Sequence, residues 1–494
     1  METFGYSRRF NVSTYMKIQA PHIAYKWLIF SVTAIGVFMS TLDGGIVNIA
    51  LPVMAHDLNA GLERIQWVVS IYLLTTTCFL PVFGKLSDMY SRKYLYLTGF
   101  LLFGVGSLLA AFSKSLSWMI FSRIVQGLGA SAMISNCQAI IAKAFRGKDR
   151  GRALGGIGAM VAVGFLAGPA VGGFLIQHWG WQSVFWINVP ISALGIWRGI
   201  QIIPLFKSNA KVKMDVLGAI CFILFCFCFL YALDEGESQH WTSFLIIGSF
   251  VMSVLFFGIF YMRERTSKNP FIGLSLFKIQ AISYGCIVSL LGFIALNCNS
   301  ILFPFYMSDI LHRSPLQMSL LMMPFPVALA IASPVSGWLS ERYSARLITT
   351  VGFGFIIIGA SMFVGIGTHP SIAYIIVAQL MMGTGSGTFQ APNNNTIIGG
   401  APSDRLGMVV SISALARNMG AVMGIALSVL IFSSVKRHYL AAGLAGQDAF
   451  MNAYQASMVF CIVMALAAAY FSAAREKRKK RKKQPTGFYE STTA

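Results

Sequence analysis

The chain has 494 residues, 56% of them hydrophobic and only 11% charged, a balance that excludes an ordinary soluble globular protein and points to a membrane protein. The basic excess, formally +21 at pH 7, sits between apolar runs and in the tail. It therefore reads as membrane topology and not as a nucleic-acid surface.

Apolar stretches of membrane-crossing length predict fourteen helices, at 27–52, 65–84, 94–113, 116–142, 151–177, 182–203, 215–232, 242–262, 280–307, 316–340, 346–367, 371–399, 406–434 and 451–474. The gaps are short and leave no room for a soluble domain. The first span is expected to act as its own insertion signal. Arg123 and Arg417 aside, 31 basic residues fall on the side of the N-terminus, and only Arg64, Lys114, Arg313, Lys436 and Arg437 fall on the other. That asymmetry predicts both termini in the cytoplasm, with Lys436 and Arg437 as a local exception. The tail REKRKKRKK reads as an anchor near anionic headgroups.

An internal repeat runs through the chain. GKLSDMYSRK, from Gly84 to Lys93, returns as GWLSERYSAR, from Gly337 to Arg346, at a displacement of 253 residues. Asp149-Arg150 returns as Asp404-Arg405, and Gly164 and Gly168 return as Gly420 and Gly424. The predicted organisation is a cytoplasmic segment 1–26, a six-helix bundle 27–203, a linker with two extra helices 204–279, a second six-helix bundle 280–474 and a basic tail 475–494. Parallel six-helix repeats point to a transporter whose substrate binds between the bundles near the membrane midplane.

Several residues break the apolar pattern. Asp43 is the acidic residue set deep within a span, which is costly unless it has a partner, a hydrated cavity or a proton. A structural ion pair is the simpler role; proton coupling is the sharper one. Arg123 on the fourth span is the natural counter-ion, unless it snorkels to the nearer surface. Gly164, Gly168, Pro169, Gly172 and Gly173 on the fifth span form a glycine row suited to close helix contact. Gly84, Asp88, Arg92 and Lys93, echoed by Glu341 and Arg346, mark a charged loop that either sets topology or latches the two bundles. Asn48, Gln126, Asn297, Asn299, Gln390, Asn394 and Arg417 are candidates to line a polar substrate cavity, an interhelical hydrogen bond being the plainer role for Asn297 and Asn299. Met307, Met318, Met322, Met323 and Phe325 offer a compliant apolar lining. The eight cysteines lie within apolar runs without metal-ligand spacing, so no metal site is expected.

The motifs LDGGIVNIALP (42–52), GKLSDMYSRK (84–93), RIVQGLGAS (123–131), GFLAGPAVGG (164–173) and WGWQSVFWINVPI (179–191) resemble the fourteen-span drug:proton antiporter family of the major facilitator superfamily. The resemblance implies an all-α polytopic fold of two six-helix bundles plus two inserted helices. It also implies that Asp43 and Arg123 form the proton-coupling pair, Asp88 and Arg92 a gate, and Gly168-Pro169 the antiport hinge. Two departures stand out. Gly44-Gly45 replaces small or hydroxyl residues on the first span, and the tenth span lacks the acid that some members use for dicationic drugs, so dicationic substrates are not expected, while monocationic or neutral lipophilic compounds remain open.

The expected activity is export of amphipathic small molecules against proton entry, by alternating access, in a cell inner membrane or plasma membrane. The proton gradient replaces any cofactor, and no phosphate-binding GxxxxGK[ST] loop is present. The rival within the class is an exporter of one endogenous metabolite, such as a siderophore or peptide. A membrane enzyme or sensor is the rival outside it, but seven scattered histidines give no catalytic cluster and the tail is too short for an output domain. The expected partners are the substrate, protons and the lipid bilayer, with no nucleic acid; a periplasmic adaptor and the oligomeric state are left open.

Overall fold

The computed structural model describes residues 22–145, 148–205, 215–236, 241–267, 273–402 and 406–475, and among these the regular structure is helical throughout. The first half contains α1 (His22–Asp57), α2 (Trp67–Met89), α3 (Arg92–Ala111), α4 (Leu116–Ala144), α5 (Lys148–Trp179) and α6 (Asn188–Ile202). Next come α7 (Val216–Glu235) and α8 (Phe244–Thr266). The second half contains α9 (Gln280–Phe305), α10 (Pro324–Arg342), α11 (Ala345–Val364), α12 (Ile372–Gly399), α13 (Leu406–Ala441) and α14 (Gly446–Ala473). Helices are what such apolar runs must form in lipid, where every backbone polar group needs an internal partner. Side chains cap several starts: Ser115 accepts from the Trp118 N–H at 3.3 Å, Asp215 from Gly218 at 3.0 Å and Ser371 from Tyr374 at 3.2 Å.

Among the described residues, 13 helices are long and apolar enough to cross a membrane. The sixth predicted run, 182–203, falls short because it is split into a single turn, Ser183–Trp186, and the 15-residue α6. Pro190 has no N–H to donate to the Trp186 carbonyl, so the two pieces do not merge. The tenth run is interrupted likewise. A helix Pro315–Met322 precedes α10, where Pro324 and Pro326 lack donors.

The helix contacts repeat with a step of eight. In the first half α1 packs on α5, α4 and α6, α2 on α4, and α3 on α4 and α6; in the second half α9 packs on α13, α12 and α14, α10 on α12, and α11 on α12 and α14. Glycines make the equivalent contacts in both. A Cβ on Gly168 would lie 3.1 Å from the Gly45 Cα of α1, and one on Gly424 would lie 2.6 Å from the Ile294 carbonyl oxygen of α9. The inserted α7 pairs with α8 and leans on both α2 and α13, along one seam between the halves. On α8, Phe244, Val254 and Met262 remain exposed, as suits a lipid-facing surface.

Candidate functional site

Asp43 and Arg123 meet inside the first half. The Arg123 Nη1 lies 2.7 Å from the Asp43 Oδ2, and neither side chain has any exposed surface. Nη1 also donates to the Gln126 Oε1 at 2.6 Å, and Nε donates to the Val68 carbonyl at 2.8 Å. The guanidinium sits 4.2 Å from the ring centroid of Tyr72, a cation–π contact in a dry pocket. Asp43 Oδ1 accepts from Gln126 at 2.8 Å and from Asn188 at 3.1 Å, while Gln126 also donates to Ser107 at 2.9 Å. One carboxylate thus ties together α1, α4 and α6, and through Gln126 and Arg123 also α3 and α2. Desolvating two charges is costly, and such a pair persists only where hydrogen bonds support it; of the three Arg123 nitrogens, Nη2 alone is left without a partner among the described residues.

Local sequence explains the seat. A Cβ on Gly106 would come within 2.5 Å of the Gln126 backbone nitrogen, and one on Gly127 within 3.0 Å of the Tyr72 carbonyl oxygen. Glycine at both positions lets α3 and α2 close on α4 around the pair. Gln126 is therefore buried in the charge network and is not a residue of an open cavity, as the sequence pattern suggested.

The glycine row on α5 has two faces. Gly164, Gly168 and Gly172 lie on α1, against Thr41, Gly45 and Ile46, next to Asp43; a Cβ on each would lie 2.9, 3.1 and 2.8 Å from its nearest atom. Gly45, a departure from the family pattern, is what Gly168 packs on. Gly173 points elsewhere, against the Ser319 side chain and the Pro315 carbonyl of the second half. Pro169 is buried beside Gly168 within a continuous helix. The row is thus a contact within one half plus a contact between halves.

The described hydrogen bonds and ion pairs between the halves lie toward the Asp57 end. Asn48 of α1 donates to Ser300 of α9 at 3.0 Å, and Arg437 of α13 pairs with Glu63 at 3.4 Å. Arg437 belongs to the apparent exception in the charge asymmetry, and its pairing across the halves gives it a reason to be there. At the other end the described bonds of the charged residues stay within one half. Arg92 donates to the Ala139 carbonyl at 3.3 Å, Lys93 to Ile200 at 2.6 Å and Arg346 to Arg475 at 3.1 Å. These bonds staple the loops to their own bundle and do not bridge the two. Gly84 faces open space, and the side chains of Asp88 and Glu341 lie outside the described residues. Lys26 bonds Asp149 at 2.5 Å, joining α1 to α5 and holding the Asp149 carboxyl below the usual range.

In the second half the polar residues separate. Asn299 is buried and accepts from the Tyr454 hydroxyl at 2.8 Å, a bond between α9 and α14 and not a cavity position. Asn297, two residues away and on another face, is half-buried and donates to its own helix at the Phe293 carbonyl, 2.9 Å away. Gln390 donates to Ser386 at 2.6 Å, and Asn394 accepts from Ser413 of α13 at 3.4 Å. Arg417, one turn beyond Ser413, makes no ion pair or hydrogen bond with any described residue. Arg475, just past α14, reaches back to Asn393, and burial pushes its guanidinium down to about 10. Met307 and Met318 are core residues, not pocket lining.

The sequence matches the Major Facilitator Superfamily over residues 33–265 and 285–492. The chain belongs to that family. It is a multi-pass membrane transporter, not an enzyme. Among facilitator relatives, the riboflavin transporter RibZ of Clostridioides difficile is 33% identical over 83% of this chain and 88% of its own length. The multidrug resistance protein Stp of Mycobacterium tuberculosis is 30% identical over 83% and 76%. The tetracenomycin C resistance and export protein of Streptomyces glaucescens is 27% identical over 83% and 76%. Among solved structures, an auto-inhibited POT family peptide transporter superposes with a TM-score of 0.67 at 16% identity, over 93% of this chain and 98% of that one. The nucleoside transporter NupG gives 0.65 at 11% identity, over 91% and 100%. At such identity these two show the facilitator fold alone.

Three members of this facilitator's charge network, Ser107, Tyr72 and Asn188, were not singled out in the sequence. Asn188 carried the clearest signal, an amide at the start of an apolar run beside Pro190.

Proposed function

We propose that this transporter is a proton-coupled antiporter that exports amphipathic small molecules by alternating access, with both termini in the cytoplasm. The observation that supports it is the wholly buried Asp43, which accepts from Arg123, Gln126 and Asn188 at once. A proton on Asp43 removes its charge and weakens its hold on all three donors, loosening α1 from α4 and α6. Five residues further along α1, about 7.5 Å of helix, Asn48 holds Ser300 of the other half. The α5 row that packs beside Asp43 ends in Gly173, which touches Ser319 of the other half. Protonation and the joint at the Asp57 end thus share two helices. With the termini inside, that joint closes the outer face and leaves the state that loads from the cytoplasm.

A second reading, carriage of one metabolite, is supported by the likeness to a riboflavin transporter. Efflux from energised inside-out vesicles separates the two readings, with lumenal pH followed on adding ethidium, other lipophilic dyes or riboflavin. Broad antiport predicts proton movement triggered by several dyes and absent in Asp43→Asn. Response to riboflavin alone selects the second reading, and coupled transport in Asp43→Asn removes Asp43 from the proton path.

A further inference from the structure

Among the described residues Arg417 is a charge without a partner. It lies within the apolar span Met408–Ala441, half-buried, bonded to no described side chain or carbonyl, yet its nitrogens are not among the sealed polar atoms of the interior. The bond from Ser413 to Asn394 fixes how the antiparallel helices α13 and α12 face each other. One turn along each helix from that bond stand Arg417 and Gln390. Gln390 and Asn394, like Arg417, are half-buried, so three partly accessible polar residues stand at one level of the two helices.

Among the described residues, the acid set within a span is committed elsewhere. Asp43 is wholly buried and held by Arg123, Gln126 and Asn188. Asp309 lies exposed at the far end of α9. An uncompensated guanidinium at membrane depth is costly, and a counter-charge brought by a ligand relieves that cost.

We infer that Arg417, flanked by Gln390 and Asn394, is the substrate-binding charge of this transporter, and that its substrates carry an anionic group, a carboxylate or phosphate, on an otherwise lipophilic body. The inference rests on the transport reading but not on proton coupling. It departs from the monocationic or neutral compounds that the motif comparison leaves open. Lys in place of Arg preserves the charge, whereas Gln removes it.

The test is equilibrium binding to purified protein in detergent, which requires no gradient. The probes are tetraphenylborate and tetraphenylphosphonium, of one shape and opposite charge, with protein-free micelles as the blank. The native chain is expected to prefer the borate by at least about tenfold. Arg417→Gln is expected to erase that preference while still binding the phosphonium, which also reports that it has folded; Arg417→Lys is expected to keep most of it. Equal binding of the two probes by the native chain, or an unchanged preference in Arg417→Gln, overturns the assignment whether or not proton-coupled efflux is observed. Benzoate is expected to displace the borate. Displacement by phosphatidylglycerol but not by benzoate assigns the charge to a lipid headgroup and also overturns it.

Discussion

Arg123 and Arg417 are the same side chain in apolar spans of the two halves, and their surroundings differ in kind. Arg123 has no exposed surface, an acid at 2.7 Å, a carbonyl, an amide and an aromatic face. Arg417 is half-open and has neither an ion pair nor a hydrogen bond among the described residues. A paired charge holds helices together and changes only when a proton arrives; an unpaired charge awaits a ligand. The difference teaches that a charge within a span has no role by residue type alone, and that the partners decide it.

The largest effect is expected from breaking the buried pair on one side. Arg123→Leu strands the Asp43 carboxylate and should cost about 3–5 kcal/mol, seen as a sharply lowered melting temperature in detergent, with much of the loss recovered when Asp43→Asn is added. Recovery absent from the double variant would show that the two residues do not act as a pair. Gly168→Val tests whether the α1 contact supports the pair. The valine would press on Gly45, and a loss of about 1–3 kcal/mol is expected, against almost none for Gly44→Ala, which faces open space. Arg417→Leu supplies the contrast, because removing an unpartnered charge should leave stability unchanged or raise it by about 1 kcal/mol. A loss as large as that of Arg123→Leu would reveal a hidden partner.

Smaller effects sit at the edges of the molecule. Glu63→Gln breaks a half-exposed pair and should change stability by about 0–1 kcal/mol, less at high salt. The Lys26–Asp149 bond gives a pH signature. Its contribution is present above the ordinary carboxylate pKa and is lost as pH falls through the lowered value of Asp149. The melting temperatures of the native chain and Asp149→Asn should therefore converge in acid and part toward neutrality.

Much of this was legible because lipid leaves few choices. Apolar runs set the helices, and α3 at Arg92–Ala111 against the predicted 94–113 shows how closely. The Asp43 and Arg123 contact could be read as an expectation because each charge is too costly to leave alone. What escaped was facing. Asn297 and Asn299 differ by two residues, about 200° around a helix, and only packing shows that the second belongs to Tyr454. Gly173 follows Gly172 in an unbroken motif yet touches the other half. Gln126 looked like a cavity amide because sequence does not show what lies across from it. Pro190 signals the split of the sixth run, because it removes one backbone donor from an otherwise continuous apolar stretch.

The most direct test of the central claim compares two modes of transport in proteoliposomes holding Asp43→Asn, using a compound that the native chain moves. One mode is solute exchange with equal pH on both sides, and the other is accumulation driven by an imposed pH gradient. If Asp43 carries the coupling proton, exchange stays near the native rate while gradient-driven accumulation falls to background. Native accumulation in the variant, or loss of both modes from a folded protein, would contradict the account.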